Sequence, residues 1–309
     1  MTRERNTLRN IVRTLLLNGY AIDSFARPAA GASLMRVRKR DALGAEARMV
    51  ILFTEKLSSG LRSRLNGEAQ QHNATAILVS TRPGPGGISG AAREINLTEF
   101  YNILGGEVRT DRILATNLES VMFELGHNRL PPSFAGKADD LLEAYCEECL
   151  EFLLECPVRR YGQERRFEPL PDGLALGRNK FNLYFDAKAY GLEFHPSADD
   201  IRRFASYVRD FNLRYSSYVG PISLFLVISG SFSGDKNAIG EKINEFQAEC
   251  ATPMAFIRAS ELANLVSQSA KSLPSRAAIN WRRVFASQLF DIKRFRDELQ
   301  RIKKDAIVR

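Results

Sequence analysis

Asp172, Asp186 and Lys188 are the residues of this chain whose types and spacing suit chemistry. Asp172 sits in the turn tripeptide Pro171-Asp172-Gly173, and the other two in FNLYFDAKAY, residues 181–190. Side chains alternate along an extended strand. Asn182, Tyr184, Asp186, Lys188 and Tyr190 therefore share one face, while Phe181, Leu183, Phe185, Ala187 and Ala189 point to a core. Two carboxylates and an ammonium converging near strand ends suit phosphodiester hydrolysis. Asp172 and Asp186 can hold a hard cation such as Mg²⁺, with the backbone carbonyl of Ala187 as a third oxygen ligand. The cation would polarise a phosphate and lower the pKa of a bound water. Lys188 would steady the developing charge and orient or deprotonate that water, the second role requiring a depressed pKa. On a solvated strand the same pair would be an ordinary surface ion pair, so the neighbouring elements must decide.

Those elements read as α/β. A helix is expected over 138–155, stopping before Pro157. A strand pair follows, around the PDG turn and the turn Gly177-Arg178-Asn179-Lys180. Ser197 and Asp200 have capping-box spacing and open a helix at about Ala198. Ile222 to Ile228 is a nearly continuous apolar run, as in a strand buried on both faces. A helix over 235–249, a strand over 254–257 and a helix from Ser260 through Val266 come next. One basic amphipathic helix is expected over 276–306, from Ala278, Trp281, Phe285, Leu289, Ile292, Phe295, Leu299 and Ile302 in steps of three and four.

The first part of the chain repeats the order. A helix over 4–18 is followed by strands near 20–25, 33–38 and 48–53, a helix over 58–72 and a strand over 74–80. The loop 82–87 and a helical segment over 97–104 complete it. Here Thr54-Glu55-Lys56 stands after the third strand, so no carboxylate–x–lysine pair is present. Pro, Gly and Ser content marks 128–137 as a linker. The expected parts are an N-terminal α/β domain (1–127), the linker, a second domain (138–274) and the terminal helix (275–309).

Composition bounds the function class. The chain has 309 residues, 44% of them hydrophobic and 26% charged, with no run long enough to cross a membrane. MTRERNTLRN lacks the apolar stretch of a secretory signal, so a cytoplasmic protein is expected. The net charge is +8, with ten Lys/Arg against four Asp/Glu in 275–309, which favours a polyanionic partner. Arg36 to Arg40, Arg165, Arg166, Arg282 and Arg283 are candidate phosphate contacts, Arg165 and Arg166 most of all because they precede the PDG turn. Cys146, Cys149 and the nearby Cys156 could suggest a zinc or iron–sulfur site, but Cys146 and Cys149 fall within the expected helix, no fourth ligand is evident, and the three read as core. His72, His127 and His195 are scattered, and no GxSxG, phosphate-binding-loop or zinc-finger spacing is present.

The landmarks together resemble the PD-(D/E)xK nuclease superfamily, and within it the FokI-type cleavage domains of type IIS restriction endonucleases. They are Pro171-Asp172-Gly173, Asp186-Ala187-Lys188-Ala189-Tyr190, Ala198-Asp199-Asp200 with Arg203, and Ser229-Gly230-Ser231-Phe232-Ser233-Gly234, in that order over about 138–266. The resemblance implies a mixed sheet flanked by helices and a metal-dependent DNA endonuclease that leaves 5′-phosphate ends. It implies Mg²⁺, with Mn²⁺ substituting, held by Asp172 and Asp186, with Lys188 as the catalytic lysine. A glutamate of the preceding helix often completes such sites. Glu143, Glu147, Glu148 and Glu151 compete for that place, with Glu147 at the most similar spacing. Tyr190 is a nucleic-acid contact, and Asp199 and Arg203 match a dimerisation helix, although at i and i+4 they can pair with each other. Double-stranded DNA, a second copy or a separate recognition subunit are the expected partners. A nonspecific DNA or RNA effector of a defence system, and an inactive DNA-binding or assembly module, are the alternatives.

Overall fold

The structure is a computed structural model. It describes residues 2–17, 20–40, 46–80, 92–96, 100, 117–132, 134–161, 170–177, 181–233, 236–272, 276–286 and 289–307. The chain divides into two units, Met1–Glu107 forming the first and Val108–Gln163 with Phe167–Arg309 the second.

In the first unit, helix α1 (Thr2–Leu17) buries Leu8, Ile11, Val12, Leu15 and Leu16, the apolar stripe its spacing predicts. Strands β1 (Ala21–Ala29), β2 (Ala32–Arg40), β3 (Glu46–Thr54), β4 (Thr75–Ser80) and β5 (Ala92–Asn96) form a mixed sheet in that order. The first two pairings are antiparallel and the last two parallel. Helix α2 (Ser59–Gln71) joins β3 to β4, capped by Ser58, whose Oγ accepts from Leu61 N–H. Its Leu65 and Ala69 pack on Leu34, Val50, Leu52, Ala76 and Leu78. The strand β5 has no counterpart in the sequence reading. The predicted loop 82–87 and most of the helical segment 97–104 lie outside the described residues.

Among the described residues, the first element of the second unit is a helix that the sequence reading missed, α3 (Leu118–Gly126). Its buried Leu118, Val121, Met122 and Leu125 join the core of the second unit, together with α4 (Ala138–Leu154). The irregular stretch 128–137 therefore connects two helices of one unit. The apolar face of α3 draws it there.

Strands β6 (Val158–Arg160), β7 (Gly173–Leu176), β8 (Asn182–Lys188), β9 (Ile222–Ser229) and β10 (Met254–Arg258) form the second mixed sheet. Again the first two pairings are antiparallel and the last two parallel. Helix α5 (Ala198–Val219) joins β8 to β9, and α6 (Lys236–Cys250) joins β9 to β10. Strand β8 is buried on both faces, not one. Tyr184, on the face read as polar, stacks edge-on with Phe211 and Phe225. Its central place in the sheet, with a helix crossing that face, accounts for the difference.

Helix α7 (Ala259–Ser272) follows β10 directly. The terminal helix expected over 276–306 is broken. A 3-10 turn (Arg276–Ala278), the short α8 (Trp281–Val284) and α9 (Ile292–Ile307) replace it. Asn280 Oδ1 accepts from Arg283 N–H and Asp291 Oδ1 from Lys293 N–H, so two polar residues restart the chain. Phe290 N–H donates to Phe256 O at 2.7 Å, tying the break to β10. The apolar stripe is covered within the unit, since Trp281, Val284, Phe285, Phe290, Phe295 and Leu299 are buried in its core.

Candidate active site

The site forms where β7 begins and β8 ends. Gly173 of β7 pairs with Phe185 of β8, so Asp172 stands opposite the last residues of β8. Gly173 is required there for space. A Cβ on it would lie 2.2 Å from the Phe185 ring and 2.7 Å from Arg159 O. This close approach lets Asp172 Oδ2 accept from Ala187 N–H at 2.7 Å. N–H and C=O of one extended residue leave the same side of a strand. The Ala187 carbonyl is therefore directed to the Asp172 side, where β7 has ended.

Lys188 Nζ contacts Asp186 Oδ1 directly and lies 3.9 Å from Asp172 Oδ2. Asp186 is only 3% exposed, which removes the solvated-strand reading. Ser229, fully buried at the end of β9, donates its hydroxyl to Lys188 O at 2.7 Å and fixes the backbone of that residue. At the far end of β8, the Asn182 amide donates to the carbonyls of Val219, Gly220 and Pro221. Both ends of the strand are thus tied to their surroundings. The three residues singled out in the sequence come together.

The electrostatics are those of crowded acids. Burial, then repulsion from Asp186, pushes the Asp172 carboxyl up to about 7, against the pull of Lys188 and the Ala187 N–H. Burial also raises Asp186, with Lys188 opposing. Burial alone would lower Lys188, but contact with Asp186 and the charge of Asp172 outweigh it, and its pKa rises. The depressed pKa that a lysine base requires is therefore not what these surroundings produce.

On α4, Glu143 interacts electrostatically with Asp172 and Lys188. Burial, then Asp172, raises its carboxyl to about 8. Its Oε2 is buried with no hydrogen-bond partner among the described residues. Glu147 is one turn further along and is engaged elsewhere, its Oε1 accepting from Arg160 N–H at 3.1 Å. Glu151 Oε1 similarly accepts from Val158 N–H. Among the described residues no three His, Cys, Asp or Glu form a metal cage. Two carboxylates and a carbonyl, with water completing the shell, are the donors a small hard cation accepts. The crowded acids and the orphaned Glu143 oxygen fit such a charge.

Helix α5 starts beside the site. Ser197 and Asp200 form the expected capping box, and the helix begins at Ala198. The Arg203 charge acts on Asp172, Asp186 and Lys188 alike. Asp199 and Arg203 do not pair. Asp199 contacts Arg202, and Arg203 donates to Asp200 Oδ1 at 2.6 Å. Tyr190 is exposed just past the end of β8. Arg165 and Arg166 lie outside the described residues.

Arg282 lies elsewhere, its guanidinium donating to Ser223 Oγ at 2.9 Å. Ser223 is at the start of β9, whereas Lys188 pairs with Ser229 at its end. Six residues of strand separate the two ends by about 20 Å. Arg282 and the adjacent Arg283 therefore sit at the far end of the sheet from the acids. Helix spacing alone carried no information about that distance.

Sequence reasoning also missed the contact of α3 with this end of the sheet. Gly126 O accepts from both Tyr190 N–H and Gly230 N–H, each at 3.1 Å. A Cβ on Gly126 would lie 2.8 Å from Gly230 Cα.

The family model described as "FokI, cleavage domain" matches residues 124–288. No curated protein matches the chain. Similar solved structures include one of restriction endonuclease FokI and one of FokI bound to DNA. Both are 19% identical over 56% of this chain, with TM-scores of 0.44 and 0.43. The match spans 31% and 30% of those chains, less than a third of each. Among the described residues no helix is long and apolar enough to cross a membrane.

Proposed function

This chain belongs to the FokI cleavage-domain family, and we propose that it is a metal-dependent endonuclease acting on double-stranded DNA. One observation carries the reading. Lys188 meets both Asp186 and Asp172 at the end of a strand buried on both faces. A buried cluster of two acids and a lysine, open at a strand end, is costly to keep without a ligand.

Asp172, Asp186 and the Ala187 carbonyl would hold Mg²⁺, with Mn²⁺ able to substitute and Glu143 in the place expected of Glu147. Bound there, the cation supplies Lewis-acid polarisation of the phosphate and a lowered pKa for water. The residues of the chain do the rest. Lys188, held as a cation between the acids, sits against the phosphate and offsets the charge that develops in the transition state. It also orients the attacking water. The water oxygen bonds to phosphorus and gives up its proton to bulk water as the bond to the 3′ oxygen breaks; the 3′ oxygen takes a proton from water and leaves as a hydroxyl, so the ends carry 5′-phosphates. Tyr190 contacts the substrate, as do Arg165 and Arg166, which precede the PDG turn in sequence. The exposed Asp199 and the adjacent Arg203 support dimerisation through the start of α5, or docking of a separate recognition subunit.

Plasmid cleavage by the purified protein with Mg²⁺, Mn²⁺ or EDTA, beside Asp186→Ala, tests the reading. Cleavage that needs the cation and disappears in the variant supports it. Stable DNA binding without cleavage in either cation would sink it in favour of a binding module. A discrete fragment ladder would mean sequence recognition, and a smear a nonspecific effector.

A further inference from the structure

The loop leaving β8 carries an exposed apolar side chain, Leu192, that the proposed chemistry does not use, two residues past Tyr190. Tyr190 is 50% exposed and Leu192 is 82% exposed. Single exposed leucines are ordinary. Leu213, 87% exposed, is one of these, lying in α5 among Arg209, Asp210 and Arg214.

Leu192 has a different setting. Its loop is clamped at both ends through the backbone. Tyr190 N–H donates to Gly126 O at 3.1 Å, Phe194 N–H to Ser231 O at 2.9 Å, and Ser233 N–H to Phe194 O at 3.1 Å. The Phe194 ring packs edge-on against those of Tyr190 and Phe232. Between the clamps only 191–193 remain, and Gly191 has open space around its Cα. On this short tip the Leu192 side chain stands in solvent.

The tip is also close to the acids along the chain. Four residues separate Leu192 from Lys188, at most about 14 Å of extended chain. A groove of B-form DNA is about 6 to 12 Å wide. A duplex whose phosphate reaches Asp186 and Lys188 therefore comes within reach of the tip.

Resting on the nuclease reading, we propose that the 190–193 tip is a wedge for duplex DNA. Leu192 enters the minor groove beside the bond to be cut and opens the neighbouring base step, with Tyr190 behind it. Apolar side chains used in this way unstack and kink a duplex. The two clamps keep the ordering cost of the tip small, because the loop is already fixed before binding.

The test uses the full chain in the Asp186→Ala background. The DNA is a short duplex carrying 2-aminopurine at steps flanking a mapped cut. Binding should raise the fluorescence at one such step. Adding Leu192→Ala should abolish the rise, whereas Leu213→Ala should keep it. In the otherwise wild-type chain, Leu192→Ala should lower kcat/KM on duplex by about tenfold or more, the worth of burying one leucine. Leu213→Ala should not change it. A rise that persists without Leu192, or no rise with the duplex fully bound, overturns the wedge while the nuclease reading stands. A Leu192→Ala chain that changes mass by light scattering without DNA overturns it in favour of a self-contact. If Asp186→Ala cuts like the wild type, the nuclease reading itself fails and the wedge falls with it.

Discussion

The sheet of the first unit and the sheet of the second run through the same pairings in the same order. Each has two antiparallel steps followed by two parallel ones. In each, a helix joins the third strand to the fourth. The third strand also ends alike, with Thr54 paired to Ser80 in one and Lys188 paired to Ser229 in the other. The difference lies in what stands there. Strand β8 ends in Asp186-Ala187-Lys188, with Asp172 across from it. Strand β3 ends in Leu52-Phe53-Thr54, and the Thr54 hydroxyl closes onto its own turn by donating to Lys56 O at 2.8 Å. One strand end presents unmatched charge and the other a satisfied hydroxyl. The shared wiring is therefore a frame, and the chemistry depends on the side chains at one corner of it.

The largest effect should separate those two corners. Asp186→Ala should lower DNA cleavage by roughly 10²- to 10⁴-fold, the range of a residue acting at the reacting group. Thr54→Ala and Lys56→Ala should leave the rate unchanged. A comparable loss from Thr54→Ala, measured on folded protein, would make the two ends functionally equivalent and break the comparison.

Next come the glutamates of α4. Glu143→Gln should cost about 10- to 100-fold in activity, as loss of a group supporting a cation does. Glu147→Gln should cost far less, because Glu147 is engaged by Arg160, through its N–H and its guanidinium. The reverse order would restore the choice made from sequence spacing.

Glycines that open the second strand of each antiparallel pair give a third contrast. A Cβ at Gly173 has no room, so Gly173→Ala should destabilise by about 3 kcal/mol, the upper range of overpacking. Gly31, just ahead of β2, has open space but a φ of +72°. Gly31→Ala should cost about 1–2 kcal/mol from the left-handed backbone alone. Urea titration measures both. Equal losses would mean that the tight packing at the Gly173 turn relaxes freely.

What was legible in the sequence was local. The PDG turn, the capping box at Ser197 and the buried run of β9 each depend on residues a few positions apart, and each stands where expected. What was not legible depended on distant packing. Glu143 and Glu147 are one helical turn apart and share a face, so only the seat of α4 on the sheet decides which meets Asp172. The apolar spacing of Leu118, Val121, Met122 and Leu125 was there to be read. Which core it entered was not, since that depends on its partners in α4 and α7. The terminal pattern in steps of three and four ran through Asn280 and Asp291, which cap new helices instead of continuing one.

The last contrast is at the opening of the third strand of each sheet. Asn182 is 1% exposed and holds three carbonyls, so Asn182→Ala leaves buried acceptors without a donor. It should cost about 1–3 kcal/mol. At the matching place in β3, Glu46 accepts from Arg48 Nε at 2.6 Å, and the Arg48 side chain is 56% exposed. Water screens that pair and can solvate either partner alone. Arg48→Ala should therefore cost about 0.5 kcal/mol or less and shrink further in high salt. A larger, salt-insensitive loss at Arg48 would mean that the first sheet, too, is held at this end by buried polar bonds. The contrast between a tightly tied strand carrying the acids and a looser one without them would then disappear.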